Sequence, residues 1–337
     1  MQAYAIDGYG APITLHEMPE PVAGPGEVLV QILAASVNPI DVKIGVGAFK
    51  AILPYDMPLI LGHDLAGIVT AVGPGTSRFK IDDTVFACVG GDRIGTFSER
   101  IAVAEEGLAF KPASIGMLEA AALPLVALTA WQALIARAQL KPGQRILIHA
   151  GSGGVGTVAI QLAKHLGAHV ATTVGTANVE LVKKLGADVV IDYRKDAFEQ
   201  QLNDYDVVLH TLDAEILERS LKVLRPGGKL ISISGPPDPT FAEEIGANWI
   251  VRQVVRLTSA KIRRKARQLG IDYSFLFMHP DGGQLSEIAN LVDAGAIRPI
   301  IDQEYPFIHT AAALERSASG RARGKVVVRV AHEKAAS

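Results

Sequence analysis

Up to about residue 120, short apolar runs alternate with glycine and proline. Val28–Leu33, Gly67–Gly73 and Thr84–Val89 each read as a strand, the second ending at the turn Gly73-Pro-Gly75. Short strands with this punctuation predict an antiparallel, barrel-like unit. After residue 120 the period changes. Arg145–His149, His169–Thr173, Val189–Ile191, Asp206–His210 and Lys229–Ser234 read as strands. Between them, Gly154–Leu166, Asn178–Leu185 and Glu215–Leu224 read as helices, closed by Gly167, by Gly186 and by Pro226-Gly-Gly. This alternation predicts a parallel sheet covered by helices. Lys325–Val330 returns to strand character, so the second unit is expected to be inserted into the first.

A chain of 337 residues is too long for one ordinary core and suits two domains. With 49% hydrophobic and 20% charged residues, the composition excludes disorder. A net charge of −2 gives no reason to expect a nucleic-acid partner. The basic stretch from Arg252 to Arg267 carries no acid and reads as a solvated helix face. The N-terminus lacks the pattern of a signal peptide, and Ala120–Ala136, interrupted by Pro124, Thr129 and Gln132, reads as a buried helix or helix pair and not as a membrane span. The single cysteine, Cys88, forms no intrachain disulfide, suits a reducing cytoplasm and excludes any site built from two thiolates; lying inside a strand, it reads as buried and inert.

Gly151-Ser152-Gly153-Gly154-Val155-Gly156 has the G-x-G-x-x-G spacing between a strand and a helix. Its glycines are expected to make the tight turn, admit a pyrophosphate and let helix and strand pack closely, with the helix N-terminus facing the phosphates. An NAD site has an acid at the end of the second strand. Here Thr173, Gly175, Thr176 and Asn178 stand there, and no carboxylate occurs before Glu180. With Tyr193 and Arg194 after the third strand, the pattern favours NADPH.

Val37-Asn38-Pro39-Ile40-Asp41, Leu61-Gly62-His63-Asp64-Leu-Ala-Gly-Ile-Val, the glycine motif and Ile191-Asp-Tyr193-Arg194 resemble the medium-chain dehydrogenase/reductase superfamily, nearest its zinc-free, NADPH-dependent quinone oxidoreductase and enone reductase branch. The resemblance implies an α/β fold in which a doubly wound Rossmann sheet (123–297) is inserted in a GroES-like β-barrel catalytic domain (1–122 and 298–337). It implies an active site in the cleft between them, and a homodimer formed through an edge strand at Phe275–Met278. Zinc-dependent relatives take a cysteine at the position of Asn38, a histidine at that of His63, and a third ligand where Ala122–Val126 stands. One ligand of three does not hold zinc, so no metal is expected.

Without a Lewis acid, an enone or quinone, which spreads negative charge easily, is the expected small-molecule acceptor. Two readings stay open beside it: a cofactor-binding sensor with little turnover, and an enoyl-thioester reductase. By position in the family, Asn38 is the expected polar contact with substrate or nicotinamide, with Asp41 orienting beside it. Lys43, Phe49, Tyr55, Trp131 and His63 are expected to line the substrate site, His63 being either a pocket residue or a structural one. Thr129, Leu212, Asp213, Ser234, Gly235, Phe275, Phe277 and Arg323 are expected along the cofactor path, with Arg321 or Lys325 as substitutes for Arg323.

Overall fold

The computed structural model describes residues 1–50, 54–90 and 93–331. The chain divides into two compact units. Residues 1–128 and 279–337 form the first, and 129–278 form the second. Residues 332–337, the end of the expected C-terminal part, lie outside the described residues.

Among the described residues, the first unit is built on a seven-stranded sheet. Along it run Ile301–Pro306, Lys325–Arg329, Glu27–Val37, Asp64–Val72, Thr84–Cys88 and Leu108–Phe110, with Arg100–Ala104 also paired to Glu27–Val37. All neighbours are antiparallel except the first pair. Gln2–Ile6 joins Thr14–Glu17 and Leu59–Ile60 in a smaller sheet. Val28, Val30 and Ile32 alternate inward at the start of the long strand and meet Leu65, Val69, Val85 and Val326 in one core. The unit resumes at residue 279, earlier than the expected 298. The reason is the helix Gly282–Asp293, which packs on Leu108–Phe110. The Asp293 carboxylate also accepts the Ala113 and Ser114 N–H groups, at 3.2 and 2.8 Å.

The second unit is a parallel sheet ordered Val189–Asp192, His169–Val174, Arg145–Ile148, Tyr205–His210, Leu224–Ser232, Asp272–Phe275. In chain order this is 3-2-1-4-5-6, the doubly wound order that places ligands where the strand order reverses, beside the first strand. Two expectations are corrected here. The helix Ala214–Ser220 gives way to a 3₁₀ turn, and Pro226-Gly-Gly lies inside a strand beginning at Leu224. The edge strand is Asp272–Phe275; Phe275 closes it, and Phe277 lies beyond. The Ala120–Ala136 run is divided between Met117–Ala121, Pro124–Trp131 and a π-helical turn, Gln132–Arg137. No helix among the described residues is long and apolar enough to cross a membrane.

Candidate active site

In the second unit the chain leaves the first strand and turns at Ala150, whose φ of 52° is in the left-handed region. The turn expected of Gly151 is thus made one residue earlier. Gly153 caps the helix Gly154–His165, whose hydrogen-bond ladder opens with the Thr157 N–H on the Gly153 carbonyl. The N–H groups of Gly154, Val155 and Gly156 precede that bond, as donors do at an anion-binding helix start. A Cβ on Gly156 would stand 2.4 Å from the Ala150 carbonyl oxygen and 2.7 Å from the Gly151 Cα. Only glycine lets the first helical turn lie so close to the strand.

The turn after the second strand closes on this loop. Asn178 donates from Nδ2 to the Ser152 hydroxyl at 3.0 Å, and its Oδ1 is buried with no hydrogen-bond partner among the described residues. An ideal Cβ on Gly175 would lie 3.2 Å from the Tyr193 hydroxyl and 3.5 Å from the Arg194 Nε. Ser152, Gly175, Thr176, Asn178, Tyr193 and Arg194 are therefore brought together. Thr173 is not available to them. Its hydroxyl donates to His149 Nδ1 at 3.0 Å and accepts the Ala150 N–H at 3.3 Å, inside the protein.

The sequence reading missed Asp192, which the parallel register sets beside Val174. It accepts the Thr176 hydroxyl at 2.6 Å and the Arg194 N–H at 3.1 Å. The Thr176 bond holds its carboxyl below the usual range. The acid missing from the second strand is thus supplied by the third, with its oxygens committed to shaping the turn that carries Arg194.

Two buried histidines end the first and fourth strands, and they too were missed. Ser220 donates to the Ile216 carbonyl at 2.7 Å, so it accepts from His149 Nε2–H at 2.8 Å. His210 Nε2–H donates to the Asp213 carbonyl at 3.0 Å, and Nδ1 faces the Ser232 hydroxyl at 3.1 Å. Each ring is held as one neutral tautomer. Burial lowers His149 to about 3 and His210 to about 4, the neighbouring His210 adding to the effect on His149. Asp213 is a helix cap, its carboxylate accepting the Ile216 N–H at 3.0 Å. Leu212 accepts the Ser234 hydroxyl at 2.6 Å, and Gly235 donates to Ser232 at 2.8 Å, so the ends of the fourth and fifth strands are tied together. Thr129 is buried and Trp131 half-buried. The Phe275 ring is buried edge-on to Phe241, which Phe277 also meets.

In the first unit, strand register sets Ser36 beside Asp64 and Asp64 beside Cys88. Lys325 begins the neighbouring strand. Pro39 starts the helix Pro39–Gly45, and its third residue, Asp41, accepts the Asn38 N–H at 2.7 Å. Gly62, at φ 108°, leaves no room for a Cβ against Thr96 and Phe97 and aims His63 back at that helix. The result is a buried cluster. Asp64 Oδ2 accepts Ser36 at 2.9 Å, Asn38 Nδ2 at 2.8 Å and Lys325 Nζ at 3.1 Å, and Oδ1 accepts the Leu125 N–H at 2.8 Å. Lys325 Nζ also donates to Asn38 Oδ1 and, at 3.1 Å, to the Val37 carbonyl. Asp41 Oδ1 meets His63 Nδ1 at 2.5 Å.

Asn38, Asp41 and His63 are thus gathered around Asp64, to which the sequence reading gave no role, and Lys325, which it had offered for the cofactor path. Lys325 is committed to this cluster and not to a cofactor. Cys88 lies beside it, its thiol pushed well up by burial and by the Asp64 charge, in keeping with an inert thiol. Lys43 is exposed, whereas Phe49 and Tyr55 are half-buried against the core. Arg323 is exposed, its backbone N–H on Asp302 at 3.0 Å.

Residues 24–113 match the family model described as alcohol dehydrogenase GroES-like domain, and residues 185–328 match the one described as zinc-binding dehydrogenase. The chain is 33% identical to the mitochondrial NAD(P)H oxidoreductase RTN4IP1 of Danio rerio, over 98% of its own length and 91% of the relative's. It is 32% identical to the chloroplastic NADPH-dependent alkenal/one oxidoreductase of Arabidopsis thaliana, over 97% and 79%. The solved quinone oxidoreductase from Coxiella burnetii superposes with a TM-score of 0.84 at 28% identity, over 98% and 99%. The chain belongs to the medium-chain dehydrogenase/reductase superfamily of oxidoreductases, in its quinone and enone reductase branch.

Proposed function

We propose that this protein transfers hydride from NADPH to a quinone or to the C=C bond of an α,β-unsaturated carbonyl, without zinc. The observation that carries the choice of NADPH is the gathering of Tyr193 and Arg194 against Gly175, beside a second strand that ends without an acid. A 2′-phosphate fits the Arg194 guanidinium and Tyr193 hydroxyl of that corner, the Asp192 carboxylate there being engaged by the Thr176 hydroxyl and the Arg194 N–H. The names of the relatives, an alkenal/one oxidoreductase and a quinone oxidoreductase, support the acceptor class.

Zinc is argued against by the chemistry of the donors present. Asn38 Oδ1 and Asp64 Oδ2 already face the Lys325 ammonium, and His63 Nδ1 faces Asp41. A second cation among them would meet an ammonium in place of a free ligand set, so these residues do not fit the ion. Hydride transfer to an enone or quinone instead leaves a delocalised anion, which positioning and a hydrogen-bond donor stabilise.

Purified protein is expected to oxidise NADPH with a panel of quinones and enones, unaffected by EDTA. Strict preference for NADH, or activity abolished by chelation and restored by zinc, rejects the reading. Replacing Arg194 by Gln removes a charge-assisted bond to phosphate, worth roughly 1.5–3 kcal/mol. The expected result is a roughly 10- to 100-fold lower kcat/KM for NADPH, with that for NADH unchanged.

The edge strand Asp272–Phe275 supports a homodimer joined sheet to sheet, and a solution mass of one subunit refutes it. The single buried cysteine supports a reducing compartment such as the cytoplasm. A fluorescent fusion found in an oxidising compartment counts against that.

A further inference from the structure

The basic stretch of the sequence forms two helices, Trp249–Thr258 and Ala260–Gln268. At the spacing of a helical turn, the first divides into three rows. Val251 and Val255 face the protein, Val255 buried and Val251 half-buried. Arg252 and Arg256 form a second, exposed row. Ile250, Val254 and Leu257 form the third, and Trp249 stands between it and the arginines. Trp249 and Leu257 are each 73% exposed, Ile250 55% and Val254 54%. Single apolar side chains on a surface are ordinary, but a row of large ones marks contact with an apolar partner.

Charge narrows the partner. The two helices carry the seven cations of this stretch, Arg252 to Arg267, and no acid. Glu218 holds Lys261 and Lys265, and Arg263 donates to the Arg256 carbonyl at 3.3 Å. Arg252 is tethered by Nε to the Ala247 carbonyl at 2.7 Å. Arg256, Arg264 and Arg267 are exposed and make no ion pair among the described residues. Glu243 and Glu244 close the preceding helix, and Glu244 is paired with Arg137. A second copy of this face would set arginine against arginine. Nucleic acid would answer the cations but leave the apolar row in water. A peptide helix docks in a groove, whereas this row lies on one helix. A bilayer with anionic headgroups answers both features: its acyl boundary takes the row and its phosphates take the arginines. The inward valines already hold the helix to the protein, so it has no folding cost to meet on contact.

We propose that Trp249–Thr258 docks on a lipid bilayer bearing anionic headgroups, with Trp249, Ile250, Val254 and Leu257 entering the headgroup layer and Arg252 and Arg256 on its phosphates. The test is flotation of the full chain with vesicles of phosphatidylcholine, alone or with about 30% phosphatidylglycerol, in about 0.1 M salt. Binding is expected to the anionic vesicles, at least about 10-fold weaker to the neutral ones and likewise weaker at about 0.5 M salt. One arginine near such a surface contributes about 5-fold, so Arg252→Gln with Arg256→Gln is expected to lower partitioning roughly 25-fold. Trp249→Ser with Leu257→Ser lowers it at least about 10-fold, while melting midpoint and NADPH oxidation stay those of wild type. Brominated lipid quenches the emission of wild type, and Trp249→Phe, which still binds, loses that quenching. No flotation, equal flotation with neutral and anionic vesicles, full binding by either double variant, or quenching kept by Trp249→Phe overturns the inference. So does a serine variant that turns a wild-type dimer into a monomer without lipid, because the row is then a subunit contact. Binding to random-sequence DNA that needs the arginines but not Trp249 and Leu257, with no flotation, assigns the face to nucleic acid and also overturns it. Each of these outcomes leaves the NADPH-dependent reductase standing, and failure of that reading leaves the docking face untouched.

Discussion

Replacing Lys325 by Met is expected to destabilise the protein by about 3–5 kcal/mol at pH 7, the usual result of removing one partner of a buried ion pair. Lys325 is 4% exposed and Asp64 fully buried, so neither water nor salt screens their contact. Ser36, Asn38 and the Leu125 N–H would still bond Asp64, but they carry no full charge. The methionine would also leave Asn38 Oδ1 and the Val37 carbonyl without their shared donor. Urea unfolding reads the effect as a lower midpoint at unchanged slope. Adding Asp64→Asn to Lys325→Met removes the stranded charge and is expected to recover at least about 1.5 kcal/mol, a coupling within the range for residues in one network. A single variant within about 1 kcal/mol of wild type would show that Lys325 does not hold this charge. Lys261 and Lys265 on Glu218 provide the contrast, because at the surface such pairs contribute at most about 1 kcal/mol.

Why the sequence sent Lys325 toward the cofactor and not to Asp64 and Asn38 is a matter of distance along the chain. The doubly wound unit was legible because its signals are local. Apolar runs, glycines past helix ends and the Gly151–Gly156 spacing each lie within a few residues of the structure they specify. Lys325 and Asp64 are 261 residues apart and meet only because their strands flank Glu27–Val37. Asp192 was hidden in the same way. It lies on the third strand, and only the register with Val174 carries it to Thr176. The later unit boundary failed for a related reason. Gly282–Asp293 has the pattern of any amphipathic helix, and nothing local says which sheet it covers. Thr173 was misread because a place at the strand end does not say what waits beside the side chain. His149 did, and took the hydroxyl.

Those interior histidines carry the second large expectation, a loss of about 4 kcal/mol of stability between pH 7 and pH 5. His149 and His210 are neutral in the fold, at about 3 and about 4, because burial disfavours the imidazolium. In the unfolded chain each returns to the ordinary value near 6.5. Below about pH 6.5 the unfolded chain therefore binds more protons than the fold, and stability falls as pH falls. At pH 5 each unfolded ring lies about 1.5 units below its midpoint while the folded rings are still neutral. Each then contributes about 2 kcal/mol to the loss, at 1.36 kcal/mol per unit. Below about pH 4 His210 begins to protonate within the fold, His149 follows near 3, and their slope flattens. Urea midpoints taken every half unit from pH 7.5 to 5 stay above most of the carboxylate range, where Asp188, Asp192 and Asp302 add a separate acid loss. His210→Asn offers a neutral amide to Ser232 and the Asp213 carbonyl in place of the ring. It is expected to reduce the loss by pH 5 from about 4 to about 2 kcal/mol. A wild-type midpoint flat from pH 7 to 5 would mean that both rings take up a proton on Nδ1 inside the fold, and that the Thr173 and Ser232 hydroxyls turn to accept it.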